Sequence, residues 1–140
     1  MDYHVDRFLQ AQAYSYSRAL GEIRRGFKRT HWMWYIFPQL KALGRSPTAK
    51  QYGIEDLEEA KQYLAHPVLG ARLREISEAL LGLETNDPYR VMGQIDGLKL
   101  CSSMTLFAEV EGYDSVFGRV IDKYYGGNRD MNTVNILKSV

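Results

Sequence analysis

Apolar side chains recur along this chain at spacings of three and four, the period of an amphipathic helix. Phe8, Leu9, Gln12, Tyr16, Ala19, Leu20 and Ile23 fall on one such stripe. They predict a first helix from about Asp6 to Arg25, stopped at Gly26. Further helical segments are predicted over 57–65, 67–83, 97–109, 115–125 and 131–137, with shorter ones at 47–52 and 88–92. A short helical or irregular aromatic segment covers 32–40. Several starts are marked by proline after a polar or ring-bearing residue, at Ser46-Pro47, His66-Pro67 and Asp87-Pro88. Proline suits the first helical position because its missing N–H has no partner there in any case. Asp56 with Glu59 resembles a capping box, and Asp96, Asp114 and Asp130 are each placed to cap the segment that follows.

No alternating run is long enough for a strand; Met33 to Phe37 is the nearest, and its neighbours are helical. The expectation is an all-α fold, a single compact domain over residues 1–140 with about seven to eight helices. Neither a repeat nor a linker interrupts it.

Composition narrows the function classes. A formal net charge of +1 supplies no global field for nucleic acid or an anionic membrane. The local run Arg24-Arg25-Gly26-Phe27-Lys28-Arg29, followed by Trp32 and Trp34, has the elements of a single-strand binder, yet cations at a helix C-terminus explain it without nucleic acid. The lone Cys101 rules out an intrachain disulfide and suits a reducing compartment. The first residues show neither a basic nor an apolar leader region, so no secretory signal is expected, and no apolar run approaches membrane-spanning length. The expected setting is a bacterial-type cytoplasm.

Candidate chemistry concentrates in two places. The first is Thr30-His31-Trp32-Met33-Trp34-Tyr35-Ile36-Phe37-Pro38-Gln39, which holds both tryptophans. Aromatics this dense belong in a core or in the wall of a ligand pocket. Within it His31 is the candidate acid or base, or else a histidine packed against a backbone carbonyl, and Gln39 is a neutral polar group for an amide or base edge. The second is the apolar segment 96–107. At about 100° per residue, Lys99, Ser102 and Ser103 share one stripe bordered by Asp96. Either this stripe floors a polar cavity for an anion, or Lys99 snorkels to solvent while the serines bond the preceding turn.

Other chemistries lack their signatures. His4, His31 and His66 are far apart and Cys101 is alone, so no metal site is expected. Neither a phosphate loop nor a nucleophile elbow is present, and no cofactor is indicated. The carboxylates Glu55, Asp56, Glu58 and Glu59 are taken as a solvated face at a helix start.

Arg7-Phe8 with Ala11-Gln12, His31-Trp32-Met33-Trp34 with Phe37-Pro38-Gln39, Leu43-Gly44-Arg45-Ser46-Pro47, Tyr63-Leu64-Ala65-His66-Pro67, Lys99-Leu100 with Ser102 to Phe107, and Tyr124 with Gly126-Gly127 resemble, in this order, the motifs of a bacterial family of small proteins of unknown function. Some members of that family carry a calpastatin label. A calpain inhibitor is expected to be extended and disordered, whereas this chain reads as globular. The resemblance implies one all-α domain and no assigned reaction. It also implies an acidic pair before the lysine helix, of which this chain keeps only Asp96, followed by Gly97.

Three functions are therefore carried forward. The first is a cytoplasmic protein binding a small anionic or nucleotide-derived ligand through His31, Trp32, Trp34, Gln39, Lys99, Ser102 and Ser103, with Arg7 and Gln12 secondary. The second is an enzyme hydrolysing or transferring a nucleotide- or ADP-ribose-like substrate, with His31 as acid or base. The third is a protein-interaction module using the Trp-rich segment, which requires Trp32 or Trp34 to be exposed.

Overall fold

The computed structural model describes residues 3–139. Met1 and Asp2, part of the stretch in which no leader is expected, lie outside the described residues, as does Val140. Among the described residues the chain is all-α. It forms α1 (Asp6–Gln12), α2 (Tyr16–Arg24), α3 (Met33–Ile36), α4 (Pro47–Gln51), α5 (Leu57–Ala65), α6 (Leu69–Leu81), α7 (Pro88–Met92), α8 (Gln94–Glu111), α9 (Val116–Tyr125) and α10 (Met131–Lys138). A 3-10 turn spans Lys41–Leu43. One isolated parallel bridge joins Leu40 to Ile54. None of these helices is long and apolar enough to cross a membrane.

The count is ten rather than seven to eight, partly because the expected first helix is two. The Ala13 amide still bonds Leu9 O, but the Ser15 amide turns to Gln12 O at 3.2 Å and Tyr14 swings out, 92% exposed. The two halves pack on different partners, α1 against α3 and α2 against α6, and a straight helix cannot serve both. α2 then ends where Gly26 predicts. With φ of +82°, Gly26 donates to Ile23 O at 2.8 Å and Phe27 to Glu22 O at 3.1 Å, the paired bonds of a Schellman closure.

Ser46, Asp56, Asp87 and Asp130 cap α4, α5, α7 and α10 through their side-chain oxygens. Three expected starts are corrected: α9 has Ser115 and not Asp114 at its N-cap, without a side-chain cap bond. Pro67 lies in the turn before α6 rather than at its first position, and His66 Nδ1 accepts from the Val68 and Leu69 amides at 3.1 and 3.3 Å. α8 starts at Gln94, after Gly93, so Asp96 sits inside the first turn and pairs with Lys28 Nζ at 2.9 Å instead of capping.

α8 is the central element, packed against α5, α7, α9 and α10. Its C-terminal half is buried on nearly all sides, and Phe107 joins an aromatic chain through the core. Phe8 meets Tyr63 edge-on at 5.1 Å, Tyr63 meets Phe107 at 5.4 Å, and Phe107 meets Phe117 at 5.8 Å. Such pairs add roughly 0.5–1.5 kcal/mol each beyond the area they bury.

The acidic run at the start of α5 is not wholly a solvated face. Glu59 is 1% exposed; its Oε2 accepts from Arg7 Nη1 at 2.7 Å and its Oε1 from the Glu55 amide at 2.7 Å. The box therefore closes one residue further back than the standard capping pattern, because the same carboxylate also holds α1.

Candidate functional site

The first two turns of α8 leave one face uncovered. Ile95, Leu98, Lys99 and Ser102 lie within an arc of about 100° at the helical repeat, and this face floors a groove. The loop from Gln39 to Ala49 forms one wall. The other wall comes from Tyr89, Tyr125 and the turn Arg129–Asn132. This main part of the groove encloses about 630 Å³. A second hollow of about 450 Å³, lined by Lys28, His31, Trp34, Gly93 and Asp96, opens on the other side of Lys99. Between them a space of about 10 Å³, the size of one water, is walled by Met33, Trp34, Phe37 and Gln39. Lys99 borders all three.

Five of the seven residues singled out from the sequence thus come together: His31, Trp34, Gln39, Lys99 and Ser102. Two do not. Trp32 is buried, its Nε1 donating to Glu22 Oε1 at 2.9 Å, so it is core and not wall. Ser103 is fully buried and its Oγ finds no partner among the described residues. One step of helix rotation past Ser102 carries it from the groove into the interior. The secondary candidates are also structural. Gln12 Nε2 donates to Tyr35 O and Tyr63 Oη inside the core, and Arg7 binds Glu59 and four carbonyls.

The electrostatics of the groove are set by which charges are already spent. Lys28 is consumed by Asp96 and lies over the Trp32 ring at 4.9 Å. The Asp130 carboxylate accepts from Ser102 Oγ at 3.0 Å, Thr133 Oγ1 at 2.5 Å and the Thr133 amide at 3.2 Å. Lys99 has no hydrogen bond or ion pair among the described residues. Arg45 is exposed on the loop wall, and Arg129 keeps only a loose 3.9 Å approach to Glu109 while stacking over Tyr113. Arg45, Lys99 and Arg129 therefore border the main groove together with one carboxylate, whose three bonds all fall on Oδ2, and the Arg129 guanidinium leans toward Glu109 and Tyr113. Cys101 also borders it; burial, reinforced by the Asp130 charge, pushes its thiol up to about 11 against a smaller opposing bond from Thr105.

The loop that carries Lys28 and His31 is held from below by Glu22. Its carboxylate accepts from the Arg29 and Thr30 amides at 2.7 and 3.0 Å, from Thr30 Oγ1 at 2.6 Å and from Trp32 Nε1. Burial alone would raise its pKa, but these four donors outweigh it and hold the group at about 2.

Arg45, Arg129, Tyr89, Ile95 and Leu98 were not singled out from the sequence. Arg45 stands in a motif that carries the family resemblance, and the glycine pair ahead of Arg129 is the signal for that residue. Gly126 and Gly127, with φ of +61° and +81°, close α9 and turn the chain back so that Arg129 and Asp130 arrive beside α8. Among the described residues no three His, Cys, Asp or Glu side chains converge to hold a metal ion.

No curated protein matches the chain. It is similar in structure to the conserved hypothetical protein Rv1873 from Mycobacterium tuberculosis, known from a crystal structure, with a TM-score of 0.94, 46% sequence identity and 97% of each chain covered. Residues 2–137 match the family described as "Protein of unknown function (DUF1810)". With nearly the whole length inside that match, the chain belongs to the DUF1810 family.

Proposed function

We propose that this protein binds a small organic anion in the groove over the first half of α8. The carrying observation is Lys99, an ammonium with no partner among the described residues, at the junction of three hollows and bordering the main one together with Arg45 and Arg129. A lysine left unpaired in a lined groove is a ready donor to phosphate or carboxylate, and its charge counts for more there than in open water. The main groove of about 630 Å³ matches the size of small-molecule sites. Trp34 and Gln39 add a flat wall and an amide, which suit a nucleotide-derived anion among others. Turnover of such a ligand is a second reading, favoured by one observation: His31 and Lys99 border the same hollow. The interaction-module reading loses Trp32 to the core and keeps only the half-buried Trp34.

The test is a thermal-shift titration with pyrophosphate, AMP and ADP-ribose at constant ionic strength. Ligand that binds only the folded state raises its melting temperature. At least one anion is expected to stabilise the wild type, and Lys99→Ala and Arg129→Ala to lose most of that shift. Equal shifts in wild type and Lys99→Ala would exclude the site, as would no shift beyond that of chloride.

A further inference from the structure

We infer that the ligand of the Lys99 groove is amphiphilic and free in solution: a compact anionic head carrying a short aliphatic body. This rests on the anion-binding reading and adds the ligand's second half. Ile95 and Leu98 are 69% and 59% exposed, the two most exposed large aliphatic side chains among the described residues, and Tyr89, which borders the same groove, is also exposed. All three border the same groove as Arg45, Lys99 and Arg129. The Tyr89 ring lies directly on Gly97, where a Cβ would come within 2.6 Å of it, which seats α7 against the flank of α8 beside this face.

The arrangement is polar at one end and apolar at the other. From Lys99 back to Ile95 the helix axis rises about 6 Å, the length of a short alkyl chain. Among Tyr89, Ile95 and Leu98 the Tyr89 hydroxyl is the one side-chain hydrogen-bonding group, while Gln39, Ser46 and Asn132 stand on the other walls of the groove. A sugar laid on Ile95 and Leu98 would set its hydroxyls against hydrocarbon and lose hydrogen bonds to water without replacement. An aliphatic body loses nothing and removes Ile95 and Leu98 from water. A second copy of the chain fits poorly, since a twofold contact through this face would bring the same three cations against each other. The enclosed volume is that of a small-molecule site rather than of an extended protein interface.

The experiment is calorimetric titration of methyl, butyl and octyl phosphate and of AMP at fixed ionic strength, below the micellar concentration of the octyl compound. The proteins are wild type, Lys99→Ala and the double variant Ile95→Ser/Leu98→Ser; both changes in the double variant lie on exposed positions. A fully buried methylene is worth up to about fourfold in affinity, so a half-open groove should give a rise of at least about fivefold from methyl to butyl, with less gained per methylene from butyl to octyl. The double variant is expected to abolish that rise and leave methyl phosphate unchanged, while Lys99→Ala weakens every phosphate. A flat length dependence, AMP binding more tightly than octyl phosphate, or a length dependence that survives in the double variant overturns the amphiphile and leaves anion binding standing. So does binding to phosphatidylglycerol vesicles without binding to soluble octyl phosphate, or wild-type self-association that the double variant abolishes. If no phosphate binds, or Lys99→Ala binds them as wild type does, the anion-binding reading falls and the amphiphile with it.

Discussion

Glu22 and Trp32 meet inside the protein, the indole Nε1 donating to the carboxylate at 2.9 Å, and this bond fixes the most aromatic segment of the chain as core on one side and groove on the other. With Trp32 pinned inward, Trp34 two residues on is turned toward the hollow beside Lys99.

The Glu22 carboxylate is expected to stabilise the fold in a pH-dependent way. Its folded pKa, about 2, lies below the ordinary 4.5. The stabilisation is therefore complete above about pH 4.5 and is lost as pH falls toward 2, and it amounts to roughly 3 kcal/mol at neutral pH. Glu22→Gln keeps an oxygen for the three N–H donors but sets an NH₂ against Thr30 Oγ1 and removes the charge that strengthens all four bonds, and it should cost about 2 kcal/mol in denaturant unfolding at pH 7. The variant should also lose less stability than wild type between pH 4.5 and 2.5. Parallel curves for the two proteins over that range would show that Glu22 is not the group responsible.

Arg7 and Glu59 form a second buried link, between α1 and the start of α5. Removing the arginine leaves the Glu59 carboxylate buried and without its cation, which typically costs about 3–5 kcal/mol. Arg7→Ala should therefore destabilise strongly, and Arg7→Lys nearly as much, because the guanidinium reaches the carboxylate and four carbonyls at once while an ammonium cannot. Adding Glu59→Gln to Arg7→Ala should recover part of the loss. Additivity of the two single changes in a double-mutant cycle would contradict the coupling.

Much of this architecture was legible in the sequence because helix punctuation is chemical. Ser46-Pro47 and Asp87-Pro88 announce starts, and Gly26 and Gly126 announce stops. The break at Ala13–Ser15 was not legible: neither glycine nor proline marks it, and the cause is that α1 and α2 pack on different helices, a fact about the assembled fold. Lys99 and Ser103 show the same limit within one turn. Periodicity puts them on a shared stripe about 40° apart, but the edge of α8's exposed face runs between them. Arg45 and Arg129 could not be joined to Lys99 by spacing at all, since loops and the return of the chain after Gly127 bring them together. Glu59 was misplaced for a related reason: its burial depends on Arg7, more than fifty residues away.

Two glycines should respond in opposite directions to the same change. A Cβ at Gly118 would lie 1.9 Å from Tyr113 O, so α9 can start where it does only with glycine there. Backbone on both sides cannot yield cheaply, and Gly118→Ala should cost about 3 kcal/mol or more. Gly82, at the end of α6, has ordinary helical backbone and only a 3.5 Å contact at its Cβ position. Gly82→Ala should be neutral or stabilise by up to about 1 kcal/mol through the unfolded chain. Thermal or urea unfolding of both variants decides it; similar behaviour in the two would mean that the close approach of α9 to Tyr113 is not maintained in solution.

The Cys101 thiol offers a reporter inside the groove that needs no label. Burial and the Asp130 carboxylate hold it at about 11, above the ordinary value of 9.0, so at pH 8 even less of it is thiolate than of a free cysteine. Since the thiolate is the reactive form, iodoacetamide should alkylate it well over tenfold more slowly than a free thiol at pH 8, with the rate still climbing past pH 9.5, where a free cysteine is levelling off. Asp130→Asn removes the charge that raises the pKa and should shift the rate profile toward lower pH. It also weakens the α10 cap, so the profile is measured at a temperature where circular dichroism shows the variant folded. Octyl phosphate seated in the groove should slow alkylation of the wild type at any pH, and the slowing should vanish in Lys99→Ala. A profile with its midpoint near pH 9 in the wild type would mean that Cys101 is freely solvated, and that the wall between Tyr125 and Asp130 is open rather than packed.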